Sequence, residues 1–173
     1  KDLASQGIYA AEYKDGRKMT LESAVRMNAL TGVNQTCAEL QLERSKEAGC
    51  KLVETTAHEG ARPEHVPWQG IVFSLEGKTE KYDDFYQATG YGTVTGLCGA
   101  NCRHNFYPFY EGVSERAYSE TELKAMKEKT VIYNGKEIGK YEATQIQRKI
   151  ERNIRRWKRE KTGLESAGQD TQE

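Results

Sequence analysis

The spacing of apolar residues changes several times along the chain, and each change marks an element. Ile8-Tyr9-Ala10-Ala11-Glu12-Tyr13 reads as a short strand. Lys14-Asp15-Gly16-Arg17 follows as a hairpin turn, because Asp-Gly accommodates the positive φ of tight hairpins. Thr20 is a suitable N-cap, and from Leu21 onward Leu21, Val25, Val33, Cys37 and Leu40 keep helical spacing beside Ala24 and Ala29. Gly49 suits the stop, and Gly32 is a point where this long helix could divide. Two strands are expected next, over Lys51–Thr56 and Trp68–Leu75, the second ended by Glu76-Gly77-Lys78.

Tyr82–Tyr86 is ambiguous in pattern. Gly90, Gly92, Gly96 and Gly99 predict an irregular segment in which the backbone bends sharply or approaches something closely. Asn105–Tyr110 is aromatic and reads as extended. Ser119-Glu120-Thr121-Glu122 is a capping-box pattern opening a helix to about Lys129. Val131–Ile138 reads as a hairpin about Asn134-Gly135. A final helix is expected from about Glu142 to Lys161, ended by Gly163, with a polar tail from Leu164 to Glu173 that lacks fixed structure. The fold class is therefore α+β: a long N-terminal helix, a small mainly antiparallel sheet with irregular loops, and a long basic C-terminal helix. The expected organisation is a core domain over 1–140, a helical arm over 141–162 and a tail over 163–173.

Composition narrows the function classes. The 173 residues are 30% charged and 36% hydrophobic, a lean core for this length, and the formal net charge is zero. A uniformly basic nucleic-acid binder is excluded, although a local basic patch is not. No apolar run approaches the roughly 20 residues that span a bilayer. The opening segment Lys1–Gly16 is polar and lacks the pattern of a signal peptide. Four cysteines in such a chain favour free thiols or metal ligation over disulfides.

Three features carry candidate chemistry. Cys98, Cys102 and His104 lie within seven residues among glycines, and His58 and His65 could complete a set of nitrogen and sulfur ligands for a structural zinc ion. The spacing is not a common zinc-finger pattern, and buried thiols with hydrogen-bonded imidazoles would explain the same residues. A cysteine nucleophile with a histidine base, oriented by Asn101 or Glu59, is a further alternative, and a small metal-dependent hydrolase or nuclease using His58, His65 and His104 is another. The second feature is the last helix. Ile146, Ile150, Ile154 and Trp157 form an apolar stripe, flanked by Arg148, Lys149, Arg152, Arg155, Arg156, Lys158, Arg159 and Lys161. Such a helix is either solvated and self-packed or an arm that meets DNA or an acidic partner. The third is the aromatic group Tyr107, Phe109 and Tyr110, which fits a core strand better than a base-stacking surface.

Three segments together resemble the phage minor capsid protein family whose C-terminal domain is related to the Mu-F-like head proteins. They are His58–Gly70, Gly90–His104 continuing into Phe106-Tyr107-Pro108-Phe109, and Tyr141–Gln145 with Gln147-Arg148-Lys149, Glu151-Arg152 and Arg155-Arg156. The order and spacing also fit, and the resemblance extends from about Asp2 to Lys161. Mu-F-like relatives carry Asn-Cys-Arg-Cys where this chain has Asn101-Cys102-Arg103-His104, so an imidazole replaces the last thiol. The resemblance implies a non-enzymatic virion protein inside the capsid, assembled in the host bacterial cytoplasm. Its implied partners are the portal or other head proteins, and DNA during packaging or ejection, but not a membrane. It also implies that His58, Arg62, His65, Trp68, Gln69, Asn101 and Arg103 are motif residues that organise the fold, and that the chain corresponds to the C-terminal portion of longer proteins.

Overall fold

The computed structural model describes residues 9–14, 16 and 18–168. The elements in order are β1 (Tyr9–Glu12), β2 (Lys18–Thr20), α1 (Leu21–Glu47), β3 (Leu52–Thr55), β4 (Val72–Ser74), α2 (Phe85–Thr89), β5 (Phe106–Phe109), α3 (Glu120–Glu128), β6 (Thr130–Tyr133), β7 (Lys136–Gly139) and α4 (Lys140–Ser166). Helices and small antiparallel sheets make this an α+β fold. The chain divides into two compact units, one spanning 27–141 and the other drawn from the two ends, up to residue 26 and from residue 142 onward. The amino-terminal hairpin thus belongs with the basic helix, a grouping that residue spacing does not reveal.

In the larger unit, β3 is the central strand of the order β4-β3-β5, antiparallel to both neighbours. Leu52 pairs with Ser74 on one side and Phe109 on the other, which brings both motif loops to the same sheet. The core gathers Val53, Phe73 and Phe106 from the sheet, Ala38 and Leu42 from α1, Phe85 from α2, and Trp68, Leu97 and Cys98 from the loops. The Asn134-Gly135 hairpin forms β6 and β7, with both turn residues at positive φ.

Several local expectations need correction. The strand expected over Trp68–Leu75 is confined to Val72–Ser74. Trp68, Gln69 and Gly70 turn instead, because the Thr55 hydroxyl draws in the Trp68 carbonyl at 2.6 Å and Gly70 sits at φ 65°. In the ambiguous Tyr82–Tyr86 stretch, Phe85 and Tyr86 open α2, whose start is capped by the Asp84 carboxylate accepting from the Gln87 amide at 2.6 Å. Gly32 does not divide α1, and Gly163 does not end α4, which continues to Ser166. Leu164–Ser166 is therefore helical rather than tail, while residues 169–173 lie outside the described residues, as do Ile8, Asp15 and Arg17 of the expected strand and turn.

The largest correction concerns α1. Its apolar spacing locates the helix but not its buried face, because Leu21, Val25, Val33, Cys37 and Leu40 are all exposed, Val33 at 64%. The buried residues of this helix are Ala38, Leu42 and Ser45, on a face continued by half-buried Thr31 and Asn34. Leu42 supplies the apolar bulk of this face, the small side chains of Ala38 and Ser45 let the helix come close to its core neighbours, and Ser45 satisfies its hydroxyl on the Gln41 carbonyl at 2.7 Å. Thr20 caps the start of this helix, its hydroxyl accepting from the Ser23 amide at 3.3 Å.

Candidate functional site

The loop between β3 and β4 and the glycine-rich loop before β5 meet at one point. A turn in which the Arg62 carbonyl accepts from the His65 and Val66 amides aims His65 inward. The His58 amide donates to Gln69 Oε1 at 3.2 Å and closes the base of this loop. The glycine-rich loop opposite is folded tightly on itself. A Cβ on Gly96 would stand 2.0 Å from the Gly90 carbonyl oxygen, and one on Gly99 would stand 2.4 Å from that of Val94, so neither position admits a side chain. Cys98 and Asn101 are held in the left-handed region at φ 59° and 57°, a backbone cost that this packing sustains.

Arg62 locks the two loops together by donating from Nη2 to the Ala100 carbonyl at 2.6 Å. His65 Nε2 lies 2.8 Å from the Thr95 carbonyl oxygen, and His104 Nε2 lies 3.1 Å from Gln69 Oε1. Cys102 Sγ sits between the imidazoles, 3.9 Å from His65 Nδ1 and 3.7 Å from His104 Nδ1. His58 stacks on His104 with centroids 4.3 Å apart, and Trp68 meets His104 edge-on at 4.7 Å. The Asn34 amide of α1 donates to the His104 carbonyl at 3.4 Å, tying the cluster to the helix.

Burial sets the electrostatics. His65 and His104 are 2% and 1% exposed. Desolvation, reinforced by neighbouring His58, His65 and Arg62, pushes His104 down to about 3, and burial also lowers His65. Both rings are therefore neutral at physiological pH. Burial raises the Cys98 thiol to about 12 and raises Cys102 as well, although the Arg62 charge opposes the latter shift.

Among the described residues, His65, Cys102 and His104 bring their ligand atoms within 4.8 Å of one another. His58 and Cys98 lie close by but outside that set. The His58 Nδ1 atom faces the Glu59 carbonyl at 2.9 Å, and Cys98 Sγ donates to the His104 carbonyl at 3.7 Å. Asn101 and Arg103 are exposed at the rim. A concavity of about 360 Å³ lies alongside, lined in part by Pro63, Met126, Lys129 and Tyr141; of the cluster it reaches only His58 and Gln69. His65 and His104 are buried, Cys102 is half-buried, and the converging group contains no carboxylate.

The basic residues of α4 lie in the other unit. Arg152, Arg155 and Arg159 line a cavity of about 350 Å³ with Lys18, Thr20 and Ser23. Arg156 pairs with Glu160 at 3.1 Å, one turn on. Lys149 and Lys158 are exposed, Arg148 is half-buried, and the stripe residues Ile150, Ile154 and Trp157 are exposed, Trp157 at 59%.

One buried polar group has no counterpart in the sequence pattern. Glu54, in the middle of β3, is fully buried, accepts from the Ala117 amide at 3.1 Å and stands 3.8 Å from Arg116 Nε. Arg116 also donates to the Gly70 carbonyl, so the pair ties the segment before α3 to the sheet and to the end of the first motif loop. Glu54 occupies an ordinary strand position, and Arg116 lies far away in sequence within a polar stretch; no short-range signal connects them.

Comparison with known proteins agrees with the motif resemblance. The model of the family described as phage minor capsid protein 2 matches residues 1–173. A structural protein of Lactococcus phage LL-H is 32% identical over 163 residues, covering 90% of this chain and 40% of the relative. A structural protein of Lactococcus phage mv4 is 38% identical over 91 residues, covering 51% of this chain and 62% of the relative. The chain thus spans less than two thirds of the length of either relative. No solved structure matches. With the family model matching from end to end, the chain belongs to the phage minor capsid protein 2 family.

Proposed function

We propose that the chain is a structural component of the phage head, docking onto the portal or another head protein through α4. The observation that carries this reading is the exposed stripe Ile150, Ile154 and Trp157 on a helix with basic flanks. An aromatic and two branched aliphatic residues left in water on one face are a costly surface for an isolated protein, and such residues commonly anchor interfaces. The relatives' description as structural proteins supports a structural role, which we place inside the virion, with assembly in the host cytoplasm. Among the described residues, no helix is long and apolar enough to cross a membrane. The closed His65–Cys102–His104 cluster supports a structural rather than a hydrolytic part for the motif loops.

The test replaces Ile150, Ile154 and Trp157 with alanine together and counts copies of the chain in purified heads. The expected result is loss of incorporation with an unchanged melting temperature; normal incorporation would refute docking through this face. Contact with packaged DNA is a second reading, favoured by Lys18, Arg152, Arg155 and Arg159 around one cavity. Each phosphate neutralised would add about 0.9 to the slope of log affinity against log salt, so DNA binding would weaken steeply with salt and docking through the apolar stripe would not.

A further inference from the structure

We infer that His65 Nδ1, His104 Nδ1 and Cys102 Sγ form a binding site for one divalent transition-metal ion of the zinc class. The lone pairs of the cluster point to this ion whether or not α4 docks on a partner. The Thr95 carbonyl oxygen, 2.8 Å from His65 Nε2, can only accept, so that nitrogen carries the proton and Nδ1 carries the lone pair. Gln69 Oε1, 3.1 Å from His104 Nε2, is fixed as the amide oxygen because it also receives the His58 backbone N–H. His104 Nε2 therefore carries the proton too. Both Nδ1 lone pairs are aimed at the same sulfur, at 3.9 and 3.7 Å.

A neutral thiol has one proton and can satisfy only one of these two acceptors. The other buried lone pair would face sulfur with no hydrogen between them. A cation resolves the conflict, because the two nitrogens and the thiolate can all donate to it while the thiol proton leaves to solvent. The spacing fits. Bond lengths of about 2.3 Å to sulfur and 2.0–2.1 Å to nitrogen in a tetrahedron place sulfur and nitrogen ligand atoms about 3.6 Å apart. The two sulfur–nitrogen separations are slightly wider, and all three ligand atoms lie within 4.8 Å of one another, so the side chains draw together to hold the ion. The partners on the far nitrogens, a backbone carbonyl and a side-chain amide oxygen, are the kind that orient metal-bound histidines. Gln69 acts through His104 and is a positioning residue. The three side chains come from two loops more than thirty residues apart, which Arg62 clamps together, so an ion here would cross-link them.

The experiment titrates the metal-stripped full chain with Co²⁺ and then Zn²⁺. Binding of one Co²⁺ per chain is expected, with a water as fourth ligand beside half-buried Cys102, the strong visible bands of four-coordination and a thiolate-to-cobalt charge-transfer band that Zn²⁺ abolishes. Cys102→Ser should remove the charge-transfer band, whereas Cys98→Ser and Cys50→Ser should keep it. Gln69→Leu should weaken Zn²⁺ binding about 10–100-fold, and Gln69→Glu, which retains an acceptor for His104, should restore it. X-ray absorption of the zinc-loaded wild type provides a measurement independent of variant folding, with one sulfur and two imidazoles expected. Failure to bind cobalt, a charge-transfer band that survives Cys102→Ser, or two sulfurs at the zinc would each overturn the assignment.

Discussion

The motif loops and helix α4 both stand out in the sequence for their unusual residues, and the structure treats them in opposite ways. The loops turn His65, Trp68, Cys98 and His104 inward, where they are buried, and Arg62, His65 and His104 find polar partners within the loops. Helix α4 buries none of its residues fully, and three of its four stripe positions, Ile150, Ile154 and Trp157, face water while Ile146 is half-buried. One region is organised by its own contacts; the other presents a surface that another molecule can complete. Unusual composition alone therefore does not distinguish a built interior from an interface. Whether the side chains satisfy one another does.

The sharpest way to break this contrast is through stability. Phe85 is fully buried where α2 meets Phe106 and Tyr91, so Phe85→Ala should cost about 3–5 kcal/mol in denaturant unfolding. Gly96→Ala comes next. Its methyl would collide with backbone rather than with a yielding side chain, and a loss toward the upper end of about 1–3 kcal/mol is expected, together with a disturbed His65–Thr95 contact visible in the imidazole NMR signals. The smallest effect is expected on the outer face of α1. Val33→Ala and Leu40→Ala should each change stability by no more than about 0.5 kcal/mol, because those side chains are already in water. A core-sized loss at Val33 would restore the stripe to the interior and remove the contrast.

That last position shows where residue spacing misleads. Leu21, Val25, Val33, Cys37 and Leu40 satisfy the helical period and locate α1 correctly, but the period says only that one face is apolar, not that it is covered. The face that is buried, with Ala38 and Ser45, is marked by small residues instead. Elements governed by local chemistry are legible: Thr20 and Ser119 cap helices as their sequence contexts predict, and Asn134-Gly135 makes the hairpin. The turn at Trp68–Gly70 and the pairing of Glu54 with Arg116 depend on partners far away in sequence, and no window of neighbouring residues contains them. The site falls between these cases. Its residue types are evident in the chain, but which of five candidate ligands converge is decided by the paths of two loops. His65, Cys102 and His104 meet, while His58 stacks on the outside of His104 and Cys98 turns toward a backbone carbonyl.

Hydrogen–deuterium exchange, compared between the free chain and the chain assembled in heads, tests the contrast most directly. In the free chain, the cluster loops around 98–104 should already be protected and the 146–157 segment of α4 should exchange faster, because stability is lowest where few apolar contacts are buried. On assembly, protection should rise over 146–157 and stay level over 98–104. Protection gained at the loops with none at α4 would contradict the account and move the docking surface to the motif residues.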